Sequence, residues 1–282
     1  MRLSSLVPQP RTVAYLGPSG TFSEQATLKH FDSPDVALLP CRSISDVFGQ
    51  VEDGRADFGV VPVENSLDGS IRVTLDLFLS TDLRVCGEVD LRVCHNIIVR
   101  VGTKRDRIEV VLSHPQAFAQ CRRYLKRELP NAKMREVSST AKAVELLKVT
   151  ENAAAIGTEV AAKKARMVVL ATHIEDYANN FTRFFVISSQ DAPPSGRDKT
   201  SLIFSVKDVP GALFRILESF AVREINLTKV ESRPLRGNPW NYVFFLDFEG
   251  HRTDKVSREA LEEIRERCYF VKVLGSYPRA IL

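Results

Sequence analysis

The chain has 282 residues, 44% of them hydrophobic and 26% charged, with a net charge of +4. This length predicts two or three folding units with a sizeable buried core, and the composition excludes a disordered or fibrous protein. The basic run at 122–127 is typical of a solvated helix face and no basic stripe is present, so we expect no nucleic-acid partner.

Cysteine spacing and apolar run lengths predict the compartment. The five cysteines are an odd number without C-x-x-C spacing, which is typical of buried free thiols and not of a disulfide framework or a zinc site. The first residues lack the apolar run of a signal peptide, and no segment has the apolar length that crosses a membrane. We therefore expect a reduced, cytoplasmic protein that binds neither a membrane nor a metal.

Predicted strands alternate with helices in the first two thirds of the chain. Apolar residues 13–16 predict a strand, which ends at Gly17-Pro18-Ser19-Gly20. Segments 21–24 and 43–46 each have a Thr or Ser three residues before an acidic residue, so both predict capping boxes that begin helices. Further strands are predicted at 57–63, 96–101 and 153–156, and further helices at 118–129 and 141–149. This alternation indicates an α/β fold built on parallel sheets.

A segment rich in Pro, Gly, Ser and charge, residues 191–198, predicts a linker to a second unit. Beyond it we predict strands at 200–206, 226–235, 241–248 and 270–276, and helices from Pro210 and over 257–268. A Gly237-Asn238-Pro239 turn separates the two middle strands. This β-α-β-β-α-β order is the ferredoxin-like arrangement.

Three segments place polar side chains where predicted strands end, at 17–23, 63–70 and 113–116. In open α/β sheets, ligands bind beyond the carboxyl ends of the strands, and helix N-termini there favour anions. Each segment alone is more often an ordinary capped turn. A G-x-G-x-x-G or Walker A pattern is absent from the sequence, so nucleotide binding lacks its usual marker.

A fourth segment, 179–187, carries Arg183 inside an apolar, strand-like run. A charge in such a run needs a partner. The residues alone leave two interpretations open. Arg183 is either a structural residue, exposed at a sheet edge or paired with an acid such as Asp57, or it is part of a functional site.

Taken together, the segments resemble the motifs of prephenate dehydratase and of the closely similar arogenate dehydratases. The resemblance rests on Gly17-Pro18-Ser19-Gly20-Thr21-Phe22-Ser23-Glu24-Gln25-Ala26, Val61-Pro62-Val63-Glu64-Asn65-Ser66, Ser113-His114-Pro115-Gln116 and Asn180-Phe181-Thr182-Arg183-Phe184. After the linker, Gly211-Ala212-Leu213-Phe214 and Glu231-Ser232-Arg233-Pro234 resemble the two effector motifs of that family's ACT domain. A chorismate mutase helix bundle is not found, so the chain resembles the monofunctional form.

The resemblance implies a two-lobed, periplasmic-binding-protein-like (type II) catalytic unit and a C-terminal, ferredoxin-like βαββαβ ACT domain. The catalytic domain would span residues 1–190, with lobe 1 at about 11–90 and 179–190 and lobe 2 at about 91–178. The linker would be 191–198 and the ACT domain 199–282. The active site would lie in the cleft between the lobes.

The reaction implied is the decarboxylating dehydration of prephenate to phenylpyruvate in L-phenylalanine biosynthesis, without a cofactor. Thr182 is implied as the main catalytic residue, with a hydrogen bond directed at the departing hydroxide. Arg183 would pair with a carboxylate, although neighbouring residues of a regular strand face opposite sides. Asn65 and Gln116 would hydrogen-bond the substrate or the leaving water from the two lobes, and Glu64 is a candidate proton donor.

The remaining implied substrate contacts belong to the same motifs and are Ser19, Gly20, Thr21, Ser23, Ser66, Ser113, Phe181 and Phe184. The amides after Gly20, with Thr21 and Ser23, would receive a carboxylate. Phe181 and Phe184 fit the core as well as they fit ring stacking. The motif residue His114 is expected to be structural.

The ACT motifs imply an allosteric site for L-phenylalanine. Its expected residues are Gly211, Ala212, Leu213, Asn226, Glu231, Ser232, Arg233 and Pro234. Amides at the helix N-terminus would bind the carboxylate of the amino acid, and the alternative is simply a helix start packed against a sheet. Because such sites usually lie between subunits, a homodimer or homotetramer is expected. Phe214 is bulkier than the aliphatic residue usual there, which leaves the ligand size open.

Two other functions stay open at this point. An arogenate dehydratase would make phenylalanine directly, since arogenate carries an amino group where prephenate has a keto oxygen. A non-catalytic amino-acid-binding regulator would have the same two domains. That alternative gives no reason for the Thr182-Arg183-Phe184 segment.

Overall fold

A computed structural model describes residues 11–234 and 242–281. The helices are α1 (Phe22–His30), α2 (Ile44–Glu52), α3 (Arg72–Ser80), α4 (Pro115–Gln120), α5 (Arg122–Glu128), α6 (Thr140–Leu146), α7 (Glu159–Ala165), α8 (Ala212–Ala221) and α9 (Lys255–Arg267), with a 3-10 turn at Arg105–Arg107. The strands are β1 (Arg11–Leu16), β2 (Val36–Cys41), β3 (Phe58–Asn65), β4 (Gly69–Ser70), β5 (Arg84–Arg92), β6 (Asn96–Val99), β7 (Val110–Ser113), β8 (Lys133–Glu136), β9 (Ala153–Gly157), β10 (Val168–Ala171), β11 (Phe181–Ser188), β12 (Asp198–Val206), β13 (Leu227–Pro234), β14 (Tyr242–Glu249) and β15 (Cys268–Pro278).

The chain forms two compact units. One contains the chain up to Thr74 together with Val89–Phe184, and the other contains Leu75–Glu88 together with the chain from Phe185. Within the described ranges, no helix is long and apolar enough to span a membrane.

Two sheets build the N-terminal two thirds of the chain. The first has the strand order β2-β1-β3-β11-β5, with β4 paired to β3, and β1 runs parallel to β2 and β3. The second has the order β10-β6-β9-β7-β8. The chain passes from the first sheet to the second at residues 93–95 and returns at 172–180. A backbone hydrogen bond of 2.8 Å from Val93 to Asn180 ties the two crossings together.

Both faces of the second sheet are covered by apolar side chains. Ile97 and Val99 belong to one buried cluster with Phe118 and Leu125, whereas Ile98 belongs to another with residues of α6 and α7. Successive side chains of a strand point to opposite faces, so an uninterrupted apolar run such as β6 is what a sheet buried on both faces requires.

The α/β fold is confirmed, but the second sheet is mixed and not purely parallel. Strand β6 runs antiparallel to β9 and β10, whereas β7 is parallel to β8 and β9. Parallel neighbours require a crossover connection. Strand β6 instead enters directly from the first sheet through residues 93–95, so no crossover helix fixes its direction.

Helix starts follow the predicted caps, with two differences. Ser43 and Asp46 form a complete capping box at α2. At α1, Thr21 accepts the amide of Glu24, but the Glu24 carboxylate binds the amide of Gly20 at 2.8 Å, so the predicted box is only half formed. The single helix predicted at 118–129 is wrong, because Cys121 has non-helical dihedrals (φ −120°, ψ 19°) and separates α4 from α5.

The C-terminal sheet has the order β13-β14-β12-β15, and every pairing in it is antiparallel. Helices α8 and α9 contribute Ile216, Phe220, Leu261 and Ile264 to a buried cluster with Phe204 and strand residues of the same sheet. The predicted βαββαβ order is confirmed. The turn predicted at Gly237-Asn238-Pro239 lies outside the described residues.

Candidate active site

A cleft of about 540 Å³ opens between the two N-terminal sheets, inside the first compact unit. Its wall consists of Leu16, Gly17, Pro18, Thr21, Phe22, Ser23, Arg42, Ile44, Pro62, Asn65, Ile71, Val93, His95, His114, Gln116, Ala117, Gln120, Ser138, Ser139, Thr140, Lys142, Thr182 and Phe184. Six of these were predicted from the sequence as catalytic or substrate-binding residues: Thr21, Ser23, Asn65, Gln116, Thr182 and Phe184. The cleft therefore gathers residues from all four N-terminal motifs.

Strand β11 presents alternate residues to the cleft. Thr182 and Phe184 belong to the wall, whereas Phe181 and Arg183 do not. This is the alternation of a regular strand, in which successive side chains face opposite sides. At the end of β3, Asn65 belongs to the wall and Glu64 does not.

Asn65 fixes the orientation of the Thr182 hydroxyl. Its Oδ1 accepts the backbone amides of Leu67 and Asp68, both at 3.0 Å, so its Nδ2 must point the other way. Nδ2 lies 2.8 Å from Oδ1 of Asn180, 2.9 Å from Oγ1 of Thr182 and 3.1 Å from the carbonyl oxygen of Phe181. Because an amide nitrogen donates, the Thr182 oxygen accepts, and its own hydrogen remains available to a ligand.

A second polar chain crosses from Asp68 to His95. Oδ2 of Asp68 accepts Nε2 of Gln116 at 2.5 Å and Nε2 of Gln120 at 2.9 Å. Oε1 of Gln120 then lies 2.9 Å from Nδ2 of Asn180 and 2.9 Å from Nε2 of His95. Gln116 and Gln120 are on α4, in the second sheet's lobe, so these contacts connect the two sides of the cleft.

Several residues of the motif that begins α1 hydrogen-bond one another and are not left free for a ligand. The buried carboxylate of Glu24 accepts hydrogen bonds from Tyr15 (3.0 Å), Ser19 (2.9 Å), the Gly20 amide (2.8 Å) and Lys164 (2.6 Å). Ser19 and Gly20 therefore hold Glu24. Neither belongs to the cleft wall, where Thr21 and Ser23 are the members of this motif.

This arrangement makes stability depend on the charge of Glu24. Burial alone would raise the pKa of the carboxyl, but the hydrogen bonds from Lys164, Gly20, Ser19 and Tyr15 lower it below its usual value of 4.5. A depressed folded-state pKa means that this stabilisation is present above pH 4.5 and is lost as the pH falls through the lowered pKa.

We therefore expect Glu24→Gln to lower the free energy of unfolding by about 2 kcal/mol at pH 7, since an amide cannot accept four donors. The difference from the unmodified protein should shrink as the pH falls below 4.5 towards the lowered pKa, because the unfolded chain then takes up a proton that the folded protein does not. Urea unfolding at pH 7 and pH 3.5 measures both values. An equal loss at the two pH values would contradict the assignment.

Three other motif residues have structural partners. Ser66 hydrogen-bonds the carbonyl of Asn179 and the amide of Phe181, and it joins β3 to the start of β11. Ser113 is fully buried and donates to the carbonyl of Ile156 at 3.0 Å. Nδ1 of His114 accepts the amide of Gln116 and caps α4. None of Ser66, Ser113 and Glu64 belongs to the cleft wall.

The cleft wall is cationic. It includes Arg42 and Lys142, and none of the wall residues in the described part of the chain is Asp or Glu. Residues from the first turns of α1, α2, α4 and α6 also line it. Helix N-termini carry partial positive charge, so the cleft as a whole favours an anionic ligand.

Sequence reasoning missed Arg42, His95, Gln120 and Lys142. Arg42 directly follows β2, a strand that was not predicted because Pro40 interrupts its apolar run. Pro is tolerated at a sheet edge, and β2 is the edge strand. For His95, the signal in the sequence was a polar residue beside the predicted crossing between the lobes. For Lys142, it was a position at the start of a predicted helix.

Only one group of Cys, His and acidic side chains in the described residues has its ligand atoms within 4.8 Å of one another, namely Cys94, His173 and Glu175. The Glu175 carboxylate already accepts the backbone amide of His95 at 2.9 Å. None of the three belongs to the cleft wall, so we assign them no part in its chemistry.

The C-terminal unit has a smaller cavity of about 340 Å³ at the start of α8. Its lining includes the predicted effector residues Gly211, Ala212 and Leu213, and also Phe214, which is 65% exposed. Gly211 caps α8 with φ +76°, a left-handed conformation that favours glycine. The predicted motif therefore surrounds a cavity at a helix N-terminus.

The second effector motif lies on the edge strand β13. Across the ladder, Ser232 is opposite Phe244 and Pro234 is opposite Tyr242, and both aromatic residues line the cavity. The other predicted effector residues have partners within the protein. Glu231 pairs with Lys229 at 3.0 Å, and Arg233 pairs with Asp76 at 2.8 Å. The carbonyl of Asn226 accepts the amide of Glu249. None of Asn226, Glu231, Ser232, Arg233 and Pro234 belongs to the described cavity lining.

Comparison with family models gives two matches along the chain. The model for prephenate dehydratase matches residues 13–192, and the model for the ACT domain matches residues 200–266. The first covers the two sheets that form the cleft, and the second covers most of the βαββαβ unit.

Proteins of known name are similar over nearly the whole chain. A bifunctional chorismate mutase/prephenate dehydratase from Aquifex aeolicus is 47% identical, over 96% of this chain and 74% of its own length. A prephenate dehydratase from Methanocaldococcus jannaschii is 40% identical, over 95% and 98%. An arogenate dehydratase/prephenate dehydratase from Arabidopsis thaliana is 39% identical, over 94% and 72%.

Solved structures share the fold. A prephenate dehydratase from Arthrobacter aurescens in complex with L-Phe has a TM-score of 0.87 and 34% identity, and the match covers 95% of this chain and 90% of that one. A protein described as a novel type of quorum quenching acylase has a TM-score of 0.86 and 30% identity, over 95% and 98%. The fold alone therefore does not distinguish these two chemistries.

Proposed function

Because this chain belongs to the prephenate dehydratase family, we propose that its cleft converts prephenate to phenylpyruvate by loss of water and carbon dioxide. The family, the ACT domain and the dehydratase activity expected from the sequence are confirmed by these matches. The substrate and the role of each residue are our proposals.

The observation that carries the proposal is a cationic cleft with a directed hydroxyl donor. Prephenate is a dianion, and Arg42 and Lys142 lie in a wall whose described residues contain no carboxylate. In the same wall, Thr182 accepts from Asn65 and has its hydrogen left to donate. The positive charges of Arg42 and Lys142 bind and orient the substrate carboxylates, while the Thr182 hydroxyl donates to the leaving hydroxyl group.

Beyond binding the substrate and donating this hydrogen bond, the protein has to supply no further group to the reaction. The C4–O bond of prephenate breaks, the ring carboxylate leaves as carbon dioxide, and its bonding electrons complete the aromatic ring. The departing hydroxide takes one proton, supplied by solvent, to become water. A hydrogen bond from Thr182 to the departing oxygen stabilises the negative charge that develops there.

Other predicted residues support this donor. Asn65 orients Thr182, and Gln116 holds Asp68 from the opposite lobe. We assign Arg183 to the far face of β11, and we give Glu64, which lies outside the cleft wall, no contact with the substrate. Ser23 and Thr21 remain our candidates for contact with a carboxylate at the start of α1.

We propose that the cavity at the start of α8 binds L-phenylalanine. The amides beyond Gly211 and the positive end of α8 suit a carboxylate, and Phe214, Tyr242 and Phe244 suit an aromatic ring. The similar protein from Arthrobacter aurescens was solved in complex with L-Phe. The edge strand β13, with exposed Val230, suits a homodimer or homotetramer that completes the site.

We expect Gly211→Ala to weaken phenylalanine binding at least tenfold. Gly211 has φ +76°, a conformation that strains alanine at the start of α8, and a Cβ there would also displace the Arg215 guanidinium, which it would meet at 3.1 Å. Isothermal calorimetry with L-phenylalanine measures the dissociation constant.

The matched control is Gly196→Ala, which has a similar strain at φ +85° but no neighbour within 4 Å and no place in the cavity lining. It should bind L-phenylalanine as the unmodified protein does. Equal weakening in both variants would indicate a general loss of stability and not a site at Gly211.

The first experiment is turnover of prephenate and of arogenate, each with and without phenylalanine, followed by the aromatic products. Phenylpyruvate from prephenate, at a rate that phenylalanine changes, is the expected result. A preference for arogenate would keep the mechanism and change the substrate. No product above the uncatalysed background would favour the non-catalytic amino-acid-binding regulator.

We further propose that the domain division follows the linker, with the catalytic domain at 1–190, the linker at 191–198 and the ACT domain at 199–282. The enzyme is proposed to be cytoplasmic. Its reaction as written needs no metal or organic cofactor.

A further inference from the structure

His95 is a buried residue of the cleft wall with one ring nitrogen unused. It lies in the first crossing between the sheets and is 3% exposed. Within residues 11–234 and 242–281, its Nδ1 has no hydrogen-bond partner. A buried polar atom left without a partner costs free energy, and His95 lines a cleft in which a ligand can bring that partner.

The protein determines which nitrogen of His95 carries the hydrogen. The carboxylate of Asp68 can only accept, so the side-chain nitrogen of Gln120 faces it at 2.9 Å. The Gln120 oxygen therefore faces Nε2 of His95 at 2.9 Å and accepts from it. The neutral ring is thus the Nε2–H tautomer, and its Nδ1 is an acceptor.

The charge of the ring points the same way. Burial lowers the pKa of His95 below its usual 6.5, although the hydrogen bond to Gln120 and the charge of Glu175 act in the opposite direction. Glu175 accepts the backbone amide of His95, whereas Asp68 acts on the ring only through Gln120. Near pH 7 the ring is neutral, so Nδ1 has a lone pair to offer.

We propose that Nδ1 of His95 accepts a hydrogen bond from the ring hydroxyl of the substrate, and that Gln120 and Asp68 are positioning residues that hold the ring in the tautomer this requires. The proposal rests on the proposed function of the cleft. Prephenate has a single hydrogen-bond donor, the hydroxyl at C4, because its carboxylates and keto oxygen only accept. An acceptor in this wall is therefore matched to the group that leaves.

His95 and Thr182 then play complementary parts toward one hydroxyl. The substrate hydroxyl donates its hydrogen to Nδ1 of His95. The lone pairs of the hydroxyl oxygen then point away from His95, and Thr182 donates to one of them. A continuous chain of hydrogen bonds joins the two residues: Thr182 to Asn65, Asn65 to Asn180, Asn180 to Gln120 and Gln120 to His95. No proton moves to the ring, so the imidazole binds and orients the leaving group.

The test compares His95→Asn with His95→Gln. The amide of Asn falls near the position of Nδ1, whereas the amide of Gln falls near that of Nε2. We expect His95→Gln to lower kcat/KM for prephenate about 100-fold and His95→Asn to retain at least tenfold more activity. In the unmodified enzyme, kcat/KM should fall as the pH drops through the lowered pKa, because a protonated Nδ1 donates instead of accepting; His95→Asn should lack this decline.

Two further readouts separate this role from a structural one. Phenylpyruvate has no ring hydroxyl, so its inhibition constant should change less than twofold in both variants. Two-bond ¹H–¹⁵N NMR of the histidine rings should show the Nε2–H tautomer for His95 at pH 7.5, and Gln120→Met should shift it towards Nδ1–H.

The outcomes distinguish this inference from the proposed function. An Nδ1–H ring in an enzyme that converts prephenate, or equal losses in both variants with weakened phenylpyruvate binding, would overturn the inference alone. An unmodified protein that converts neither prephenate nor arogenate would overturn both.

Discussion

Thr182→Val is expected to lower kcat for prephenate about 100- to 1,000-fold while KM changes only a few-fold. Valine has nearly the shape of threonine, so the strand and the cleft wall should be kept. What it lacks is the hydroxyl that Asn65 orients at 2.9 Å. Because that hydrogen bond strengthens as charge develops on the departing oxygen, its loss affects the transition state more than the bound substrate.

Thr182→Ser is the matched variant. It keeps the oxygen that accepts from Asn65 and the hydrogen that is donated, so most of the turnover should remain. Steady-state kinetics on both variants, with thermal unfolding to check the fold, make the comparison. A Thr182→Val enzyme that keeps most of its kcat would exclude Thr182 as the donor.

Much of the fold was predictable because its signals are local. The complete capping box at Ser43 and the βαββαβ order beyond the linker depend on residues a few positions apart. Edge strands were missed for a physical reason. Strand β8 is exposed at every position, and β2 contains Pro40, so neither has the apolar pattern of a buried strand.

The site was predictable as a set of motifs but not as a geometry. Nothing local shows that Glu24 will meet Lys164, 140 positions away, and so bind Ser19 and the Gly20 amide instead of leaving them for a ligand. Thr182 and Arg183 are neighbours in one motif, yet strand alternation brings only Thr182 to the cleft wall.

The same limit explains why His95 was not found from the sequence. Its ring contacts Gln120, which in turn contacts Asp68 and Asn180. These three residues come from three separate segments of the chain. Each is an ordinary polar residue where it stands. Their role follows from the direction of the hydrogen bonds between them. That direction is set by the Asp68 carboxylate, which can only accept.

Asn65→Asp is expected to be the most damaging isosteric change in the cleft, with kcat/KM reduced at least about 1,000-fold. One carboxylate oxygen still accepts the amides of Leu67 and Asp68. The other replaces an amide that donates to Asn180 and Thr182, so the Thr182 hydroxyl has to turn and donate to it. The variant thus removes the donor from the substrate and adds a negative charge to a cleft that binds a dianion.

Asn65→Ala separates these two effects, because it deletes the orienting amide without adding charge. We expect it to lose about 100-fold in kcat/KM, so that Asn65→Asp is at least tenfold worse. Steady-state kinetics with prephenate, alongside urea unfolding of each variant, measure the order. If aspartate were instead better tolerated than alanine, the Thr182 hydroxyl would not need to accept from residue 65.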